Sequence, residues 1–204
     1  MHIKSPFNPD YQNNNIDAKI VVALEKISEA FRVLLWEVSK EFNLTPIQVQ
    51  ILIFLKTHRD EFHTVSYLSR EFNMSKPTIS DSIKTLEKKH LIIKISQKSD
   101  IRSFIVKLTR KGHKIASTAT LLTQTIENSL KHIPRDTKKS IFALLTNTIA
   151  TLNKAGIVSI QRMCFSCIYY KYNVKENNHY CNFLEKKLLV SDIRLDCNEH
   201  KPKA

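Results

Sequence analysis

The chain has 204 residues, of which 42% are hydrophobic, and it carries a formal net charge of +13. This length fits one large domain or one domain with an appended module, and the hydrophobic content excludes a wholly disordered chain. Only two glycines occur, which disfavours glycine-rich phosphate loops and a turn-dense all-β fold.

The N-terminal residues 1–15 are polar, include two prolines, and contain no apolar run that would serve as a secretory signal. No stretch of the sequence approaches the roughly 18 apolar residues that a membrane helix needs. We therefore expect an extended N-terminal arm on a cytoplasmic protein that makes no use of a membrane. Structural disulfides are disfavoured in that compartment.

The first long element is predicted from Ile16 to Phe42. Apolar residues recur there at steps of three or four, as one face of a long helix requires. Leu35 and Trp36 widen the face beyond what one neighbouring helix would cover. Either a second subunit or a wide intramolecular core could bury the remainder.

Three further helices are predicted between residues 45 and 89. Thr45, Pro46 and Gln48 form the sequence pattern of a capping box, which predicts a helix running to about residue 58. Two short helices follow, one starting at Thr64 and the other near Ser75, separated by a tight turn at residues 73–74.

The second short helix has one apolar face and one polar face. Small hydroxyls and lysines around its N-terminal half are typical of a helix that lies in a DNA major groove. A solvated helix face has similar charges, so the composition alone leaves that alternative open. The candidate contacts to bases and backbone are Lys76, Pro77, Thr78, Ser80, Asp81 and Lys84.

Residues 91–96 and 103–108 are β-rich runs around a charged tip, so they predict a hairpin after the helix-turn-helix. This order is that of a winged helix. Residues 74–111 contain ten Lys or Arg and three Asp or Glu, so this segment carries +7 of the chain's +13. Positive charge concentrated on the predicted recognition helix and wing favours binding to double-stranded DNA.

These residues resemble the MarR family of bacterial transcriptional regulators. The resemblance rests on the run LEKK at 86–89, on Asp100 with Arg102 in the wing, and on the LT pair at 108–109 followed by Gly112. Its order and spacing extend over residues 16–155. One departure is His90, where the family usually has the glycine that ends the recognition helix.

The resemblance implies a homodimer whose first and last helices interlock, with two recognition helices reading a pseudo-palindromic operator. It also implies that Arg102 reaches a minor groove or a phosphate while Asp100 orients it. Lys98 is the second predicted wing contact. The fold expected is mainly α with a small β-hairpin wing, a MarR-like winged helix with long dimerisation helices.

Two helices are predicted after the wing. One runs from Thr109 to about residue 132, and the other from Asp136 to a stop at Gly156. The resemblance assigns both to dimerisation, although they could instead complete a monomer core. The expected divisions are an arm at 1–15, a winged-helix and dimerisation domain at 16–156 with its DNA-reading segment at 64–111, and an appended module at 157–204.

The appended module holds every cysteine of the chain: Cys164, Cys167, Cys181 and Cys197, with 2, 13 and 15 residues between them. A Cys-x-x-Cys pair with two further cysteines predicts a four-thiolate metal site in a cytosolic protein. Two disulfides and four unrelated buried thiols are the alternatives. His179 and His200 are predicted to lie outside the first coordination shell, because four cysteines already complete a site.

Either of two cofactors suits this pattern. Zinc takes four thiolates and commonly stabilises modules too short to fold alone, but a zinc knuckle usually has a glycine that the CFSCI segment lacks. The spacing and the six aromatic residues of the module are similar to small high-potential-type four-iron cluster domains. Zinc as a structural staple is placed slightly ahead of an iron–sulfur cluster as a redox, oxygen or iron sensor.

The sequence contains no HExxH, no phosphate loop and no G-x-S-x-G nucleophile motif, so we expect a protein that is not an enzyme. The alternatives to a DNA-binding regulator are a winged-helix protein-interaction module and an electron-transfer iron–sulfur protein. No residue pattern identifies the operator or a small-molecule effector.

Overall fold

In a computed structural model, the protein is described over residues 4–97, 100–159, 162–174 and 178–203. The described part is mainly helical with a β-hairpin wing, as predicted, and it also contains a second small antiparallel sheet that was not predicted. The helices are α1 (Pro9–Asn13), α2 (Ile16–Phe42), α3 (Pro46–Thr57), α4 (Val65–Glu71), α5 (Lys76–Lys88), α6 (Arg110–Ala119), α7 (Gln124–Ser129) and α8 (Arg135–Lys154). The strands are β1 (Ile92–Gln97), β2 (Asp100–Leu108), β3 (Tyr170–Asn173), β4 (Asn178–Cys181) and β5 (Lys186–Leu188).

Most of these helices have a side chain that caps their N-terminus. At α3, Thr45 accepts from the backbone N–H of Gln48, whose side chain accepts from the N–H of Thr45, so the predicted capping box forms. Part of the arm expected to be extended is instead the short helix α1. Asn8 caps it and Pro9 occupies its first turn, a pairing that favours helix initiation over extended chain.

The core of the winged-helix part surrounds α3, which packs against α6, α5 and β2. Its innermost side chains are fully buried and come from α3, α4, α5 and the wing strands. Among them are Ile51, Leu52, Leu68, Ile79, Ile83, Leu86 and Val106. The apolar face of α5 is thus committed to the core, which leaves its opposite face to solvent.

The wing is the antiparallel pair β1–β2, in register from Ile92 opposite Leu108 to Ser96 opposite Phe104. An irregularity follows between Ser96 and Gln97, after which Gln97 lies opposite Asp100. The predicted hairpin is therefore present, and β2 begins three residues earlier than predicted.

The helix predicted from Thr109 to about residue 132 is not continuous. It divides into α6, a 3₁₀ turn at Thr120–Thr123, and α7. Both α2 and α8 leave apolar side chains in solvent in the single chain. The residues affected are Ile16, Ile20, Val21, Ile27, Phe31, Val33 and Trp36 on α2, and Ile141, Leu144 and Leu145 on α8.

The C-terminal residues form a small unit with the antiparallel sheet β3–β4–β5 and a minor core of its own. Cys164, Leu188 and Ile193 are buried in that core, and Phe142 of α8 packs against it. The unit is called the cysteine module below. No helix among the residues described here has the length and apolarity needed to cross a membrane.

Candidate DNA-reading surface and cysteine site

Nearly all of the α5 side chains that are predicted to contact DNA are exposed to solvent. Five of the six side chains are exposed and Ser80 is half-buried. The exposed ones are Lys76, Pro77, Thr78, Asp81 and Lys84. Ile79, Ile83 and Leu86 hold the opposite face in the core. The structure thus brings the candidates together on one accessible helix face, as a recognition helix requires.

The acidic residues of this helix are both paired with lysines. Asp81 lies 3.2 Å from the amine of Lys84, and Glu87 lies 2.6 Å from that of Lys94 on β1. Each pair offsets one lysine against one carboxylate, so the excess of Lys and Arg over Asp and Glu in α5 and the wing is unchanged by pairing. Such an excess attracts a polyanion over distances comparable to the Debye length.

Local signals set both ends of α5. Ser75 accepts from the N–H of Thr78 at the start, with Pro77 in the first turn. At the end, the N–H of Leu91 donates to the carbonyl of Leu86 while His90 adopts a left-handed φ of 57°. This is the hydrogen-bond pattern of a glycine-type helix stop, made here with histidine.

The wing residues are only partly described. Lys98 lies outside the described residues. The backbone of Asp100 and Arg102 belongs to strand β2, but their side chains lie outside the described part. Their predicted roles in DNA contact therefore stay predictions.

The four cysteines come together around one cavity. Cys164 lies in a 3₁₀ turn that ends at Cys167, Cys181 ends β4, and Cys197 lies in the C-terminal loop. All four line a cavity of about 20 Å³, together with Tyr169, Tyr170, Phe183, Leu184 and Leu188 as its principal aromatic and apolar walls. All four are free thiols, so the disulfide alternative has no support. Within the described ranges, no three His, Cys, Asp or Glu side chains form a group that could hold a metal ion as placed.

Hydrogen bonds reach two of the sulfurs from Arg194. Its backbone N–H donates to Cys164 Sγ at 3.2 Å, and its guanidinium donates to Cys197 Sγ at 3.5 Å. Burial raises the pKa of the Cys164 thiol, the Arg194 N–H opposes that shift, and the three neighbouring cysteines add to it. Hydrogen bonding to Cys197 in turn raises the pKa of Arg194. The cluster of thiols and its cationic donor are thus coupled by charge.

The two histidines of the module are engaged away from the sulfurs. His179 Nδ1 lies 2.6 Å from the hydroxyl of Tyr170, and His200 Nε2 lies 2.9 Å from Ser166 Oγ. Burial lowers the pKa of both imidazoles, which favours their neutral form. Burial raises the pKa of Tyr170 to about 12, and the nearby Cys164 contributes to the shift.

Arg162, two residues before Cys164, joins the cysteine module to the helix-turn-helix. Its side chain is 4% exposed and bonds bidentately to two carboxylates. The distances to Asp196 are 2.5 and 3.0 Å, and those to Glu71 of α4 are 3.0 and 3.2 Å. It also donates to the hydroxyl of Tyr67. The guanidinium lies over the rings of Phe54, Phe62 and Tyr67, 5.2 to 5.6 Å from their centroids.

Asp196 is shared between two side chains. Besides its bonds to Arg162, it lies 2.6 Å from Nε2 of His58, the residue that caps the C-terminus of α3. Burial alone would raise the pKa of the Asp196 carboxyl, but these hydrogen bonds outweigh it and hold that pKa well below its usual range. Since Asp196 immediately precedes Cys197, the ion-pair network adjoins the cysteine site.

Sequence reasoning missed this network. The carboxylates and the tyrosine hydroxyl that bond to Arg162 lie 34 to 95 positions away along the chain. The residues next to an arginine in the sequence do not indicate which distant side chains it will contact. Only folding brings them together.

The helix-turn-helix and the start of the wing match a known family model. Residues 42–103 match the MarR family model. A search of curated proteins found no match.

Solved structures show the same fold. MepR of S. aureus in complex with DNA is 22% identical with a TM-score of 0.57, over 65% of this chain and 97% of that one. MepR of S. aureus in a DNA-binding conformation is 22% identical with a TM-score of 0.58, over 65% of this chain and 98% of that one. A MarR/EmrR family transcriptional regulator from Acinetobacter sp. ADP1 is 19% identical with a TM-score of 0.56, over 69% of this chain and 99% of that one. Roughly a third of this chain therefore has no counterpart in these neighbours.

Proposed function

Because this chain carries a MarR-family winged helix, we propose that it is a sequence-specific transcriptional regulator that binds double-stranded DNA as a homodimer. The observation that carries the proposal is the exposed face of α5, which follows a helix-turn-helix and precedes a hairpin wing. Its small hydroxyls and lysines suit base edges and phosphates in a major groove. Arg102 and Lys98 would extend the contact from the wing.

The open apolar faces of α2 and α8 support the dimeric part of this proposal. Trp36 is 56% exposed and Leu144 is 52% exposed in the single chain. Contiguous apolar surface on long helices is costly in water and marks an interaction surface. A two-fold dimer would cover it and would present two α5 helices to the half-sites of a pseudo-palindromic operator.

The cysteine module adds a cofactor site to the proposed function. Four thiols around one cavity form the donor set of a structural zinc or of an iron–sulfur cluster. The residues that would hold the cofactor are Cys164, Cys167, Cys181 and Cys197. When bound, zinc would supply a fixed tetrahedral link, whereas a cluster would supply a redox-active or labile centre.

Salt dependence tests the DNA-binding proposal. The full chain would be titrated against double-stranded DNA selected from a random-sequence pool, at ionic strengths from 50 to 200 mM. A reader of several phosphates is expected to lose on the order of a thousandfold in affinity over this range. Arg102→Ala and Lys84→Ala should each weaken binding and reduce the salt slope by about one.

Lys139→Ala provides the matched control, since it removes an exposed lysine on α8, away from the proposed DNA-reading surface. Its DNA affinity should equal that of the unchanged chain. Failure to select any DNA, or an affinity insensitive to salt, would favour the winged-helix protein-interaction alternative.

A further inference from the structure

We propose that the groove between α8 and the cysteine module binds a nucleoside monophosphate. The groove has a volume of about 720 Å³, which lies within the range of sites that hold small organic molecules. One face of α8 forms one wall, and aromatic side chains of the module form the other. This ligand site lies apart from the DNA-reading surface of α5, and its argument does not depend on DNA binding.

The face of α8 that lines the groove is opposite to the face proposed for the dimer. Its lining positions are 143, 146, 147, 150, 151 and 154. At about 100° per residue, these positions lie on the other side of the helix from the exposed Ile141, Leu144 and Leu145. Ala143 and Ala150 have short side chains, so this face leaves room in the groove. A dimer formed through the opposite face would keep the groove open.

The module contributes a cluster of four aromatic rings to the groove. The ring centroids of Phe165, Tyr170, His179 and Tyr172 lie 5.2, 5.8 and 5.1 Å apart in that order. Tyr172 is 46% exposed, so a ligand can reach its ring. Nucleobases stack on aromatic side chains, because every base has a π-face. This wall therefore favours a ligand with a flat ring.

The charged groups of the groove are cationic. Among the residues that the structure describes, no Asp or Glu lines the groove, whereas Lys154 and Lys203 do. The Lys203 amine lies 5.5 Å from the centroid of Tyr170 and donates to the carbonyl of Phe165 at 3.1 Å, which leaves it with further N–H donors. Two ammonium groups match the charge of a phosphate monoester, which is about −1.5 to −2 at pH 7.

Two polar side chains of α8 are spaced to hold the two ends of such a ligand. Asn147 and Lys154 are seven positions apart on the groove-lining face, which separates them by about 10 Å along the helix. In the described ranges, neither side chain has a hydrogen-bond or ion-pair partner. An amide can donate to and accept from the edge of a base, and an ammonium group can bind a phosphate. The base would stack on the ring of Tyr172 between them.

Titration calorimetry of the full chain tests the proposal. The probes are AMP, GMP, CMP and UMP, each compared with its nucleoside and with inorganic phosphate. We expect at least one monophosphate to bind at least tenfold more tightly than both its nucleoside and phosphate alone. Binding of phosphate with equal affinity would overturn the proposal in favour of a simple anion site. Equal binding of the nucleoside, or no binding of any monophosphate, would also overturn it.

Two variants of exposed residues locate the ligand in the groove. Lys154→Gln should weaken binding of the monophosphate about tenfold and leave nucleoside binding unchanged. Tyr172→Leu should weaken binding of both at least fivefold, because it removes a stacking surface. Lys138→Gln is the matched control, since it removes the same charge from an exposed position of α8 that does not line the groove. Equal losses in Lys138→Gln and Lys154→Gln would place the ligand elsewhere.

Discussion

At the scale of single residues, Arg162 makes the most consequential contacts in the described part of the chain. It is buried, pairs with two carboxylates and lies over three aromatic rings. Arginine suits such a site better than lysine because its planar fork bonds bidentately and stacks on rings. Removing one partner of a buried ion pair costs more than the pair contributes, because the remaining charge is left uncompensated.

We therefore expect Arg162→Met to lower the free energy of unfolding by about 3 kcal/mol, the lower end of the range for buried pairs. The lower end applies because Glu71 and Asp196 keep partial contact with water. Denaturant unfolding would measure the change. The control is Arg59→Ala, which breaks an exposed ion pair with Glu199 of the same module and should cost less than about 1 kcal/mol. Equal costs would contradict the special role of Arg162.

Position 112 requires glycine because the backbone of Leu91 approaches it closely, and not because of its φ. A Cβ at this position would lie 2.0 Å from the carbonyl oxygen of Leu91. That carbonyl also accepts from the N–H of Thr109, whose side chain caps α6 through the N–H of Gly112. The LT-x-x-G pattern is thus explained by the junction between the wing and α6.

Gly112→Ala should destabilise the protein by about 2 kcal/mol, since the obstructing atom is backbone and can yield only by shifting a strand or a helix. Thermal unfolding would report the loss. Gly156→Ala is the comparison, because a Cβ there meets nothing within 4 Å and the penalty comes only from its φ of +73°. That variant should lose about 1 kcal/mol, so a larger loss at Gly156 than at Gly112 would contradict the clash.

At the scale of elements, four helices end in the same way. After each, a residue with positive φ is followed by an N–H that donates five positions back. Glycine fills this place only once, at the end of α8. The residues are Asn43, Asn73, His90 and Gly156. A chain with two glycines can therefore build sharp helix stops, because asparagine and histidine tolerate the left-handed region.

His90→Gly should raise the free energy of unfolding by about 0.5 to 1 kcal/mol, because glycine removes the Cβ strain at φ 57° at some cost in unfolded-chain entropy. Denaturant unfolding measures the gain. His90→Ala, which keeps the Cβ, should show no gain. A destabilised glycine variant would mean that the histidine side chain itself contributes to the stop.

The faces of α2 and α8 make a prediction about assembly. Replacing Leu144 with Glu puts a charge into the proposed interface, where its desolvation is unfavourable. We expect the variant to be a folded monomer that binds DNA at least tenfold more weakly, because only one half-site can be engaged at a time. Light scattering after size exclusion measures the mass. Glu127→Gln on the polar surface of α7 is the control, and an unchanged dimer in Leu144→Glu would remove α8 from the interface.

At the scale of the whole molecule, the cysteine module contacts both α8, which is proposed for dimerisation, and the helix-turn-helix. It packs on α8 through Phe142 and on α4 through Arg162 and Glu71. After α3, His58 makes a hydrogen bond with Asp196, and Arg59 makes an ion pair with Glu199. A cofactor bound at Cys197, as proposed above, would also fix Asp196, and through Arg162 it would restrain the first helix of the helix-turn-helix.

This connection predicts coupling between cofactor and DNA. Cys181→Ala, by removing the cofactor, should weaken DNA binding roughly tenfold, within the usual range of coupling energies. If the effect travels through Arg162, Cys181→Ala and Arg162→Met together should weaken binding no more than either alone. A double-mutant cycle of DNA affinities measures this, with Arg59→Ala in place of Arg162→Met as control. Additive losses would mean that the module acts by another route or only stabilises.

By itself, the sequence determined the elements and their order. These predictions rest on local patterns that each span a short stretch of sequence. They are the helix periodicity, the Thr45 capping box, the alternating wing strands and the concentration of lysines on α5. They were enough to predict a MarR-like winged helix and the solvent-exposed polar face of α5, whose contact with DNA stays a prediction. The cysteine spacing predicted a four-thiolate metal site; the four cysteines line one cavity, and metal binding stays a prediction.

Only the tertiary structure decided how the parts meet. The Arg162 network joins residues up to 138 positions apart. After the wing, α6 packs against α3 and the following 3₁₀ turn packs against α2. The cavity that the cysteines line also depends on tertiary structure, because it forms where the Cys164–Cys167 turn, the end of β4 and the C-terminal loop meet. Local sequence carries no record of such distances, because they arise when distant side chains share one buried volume.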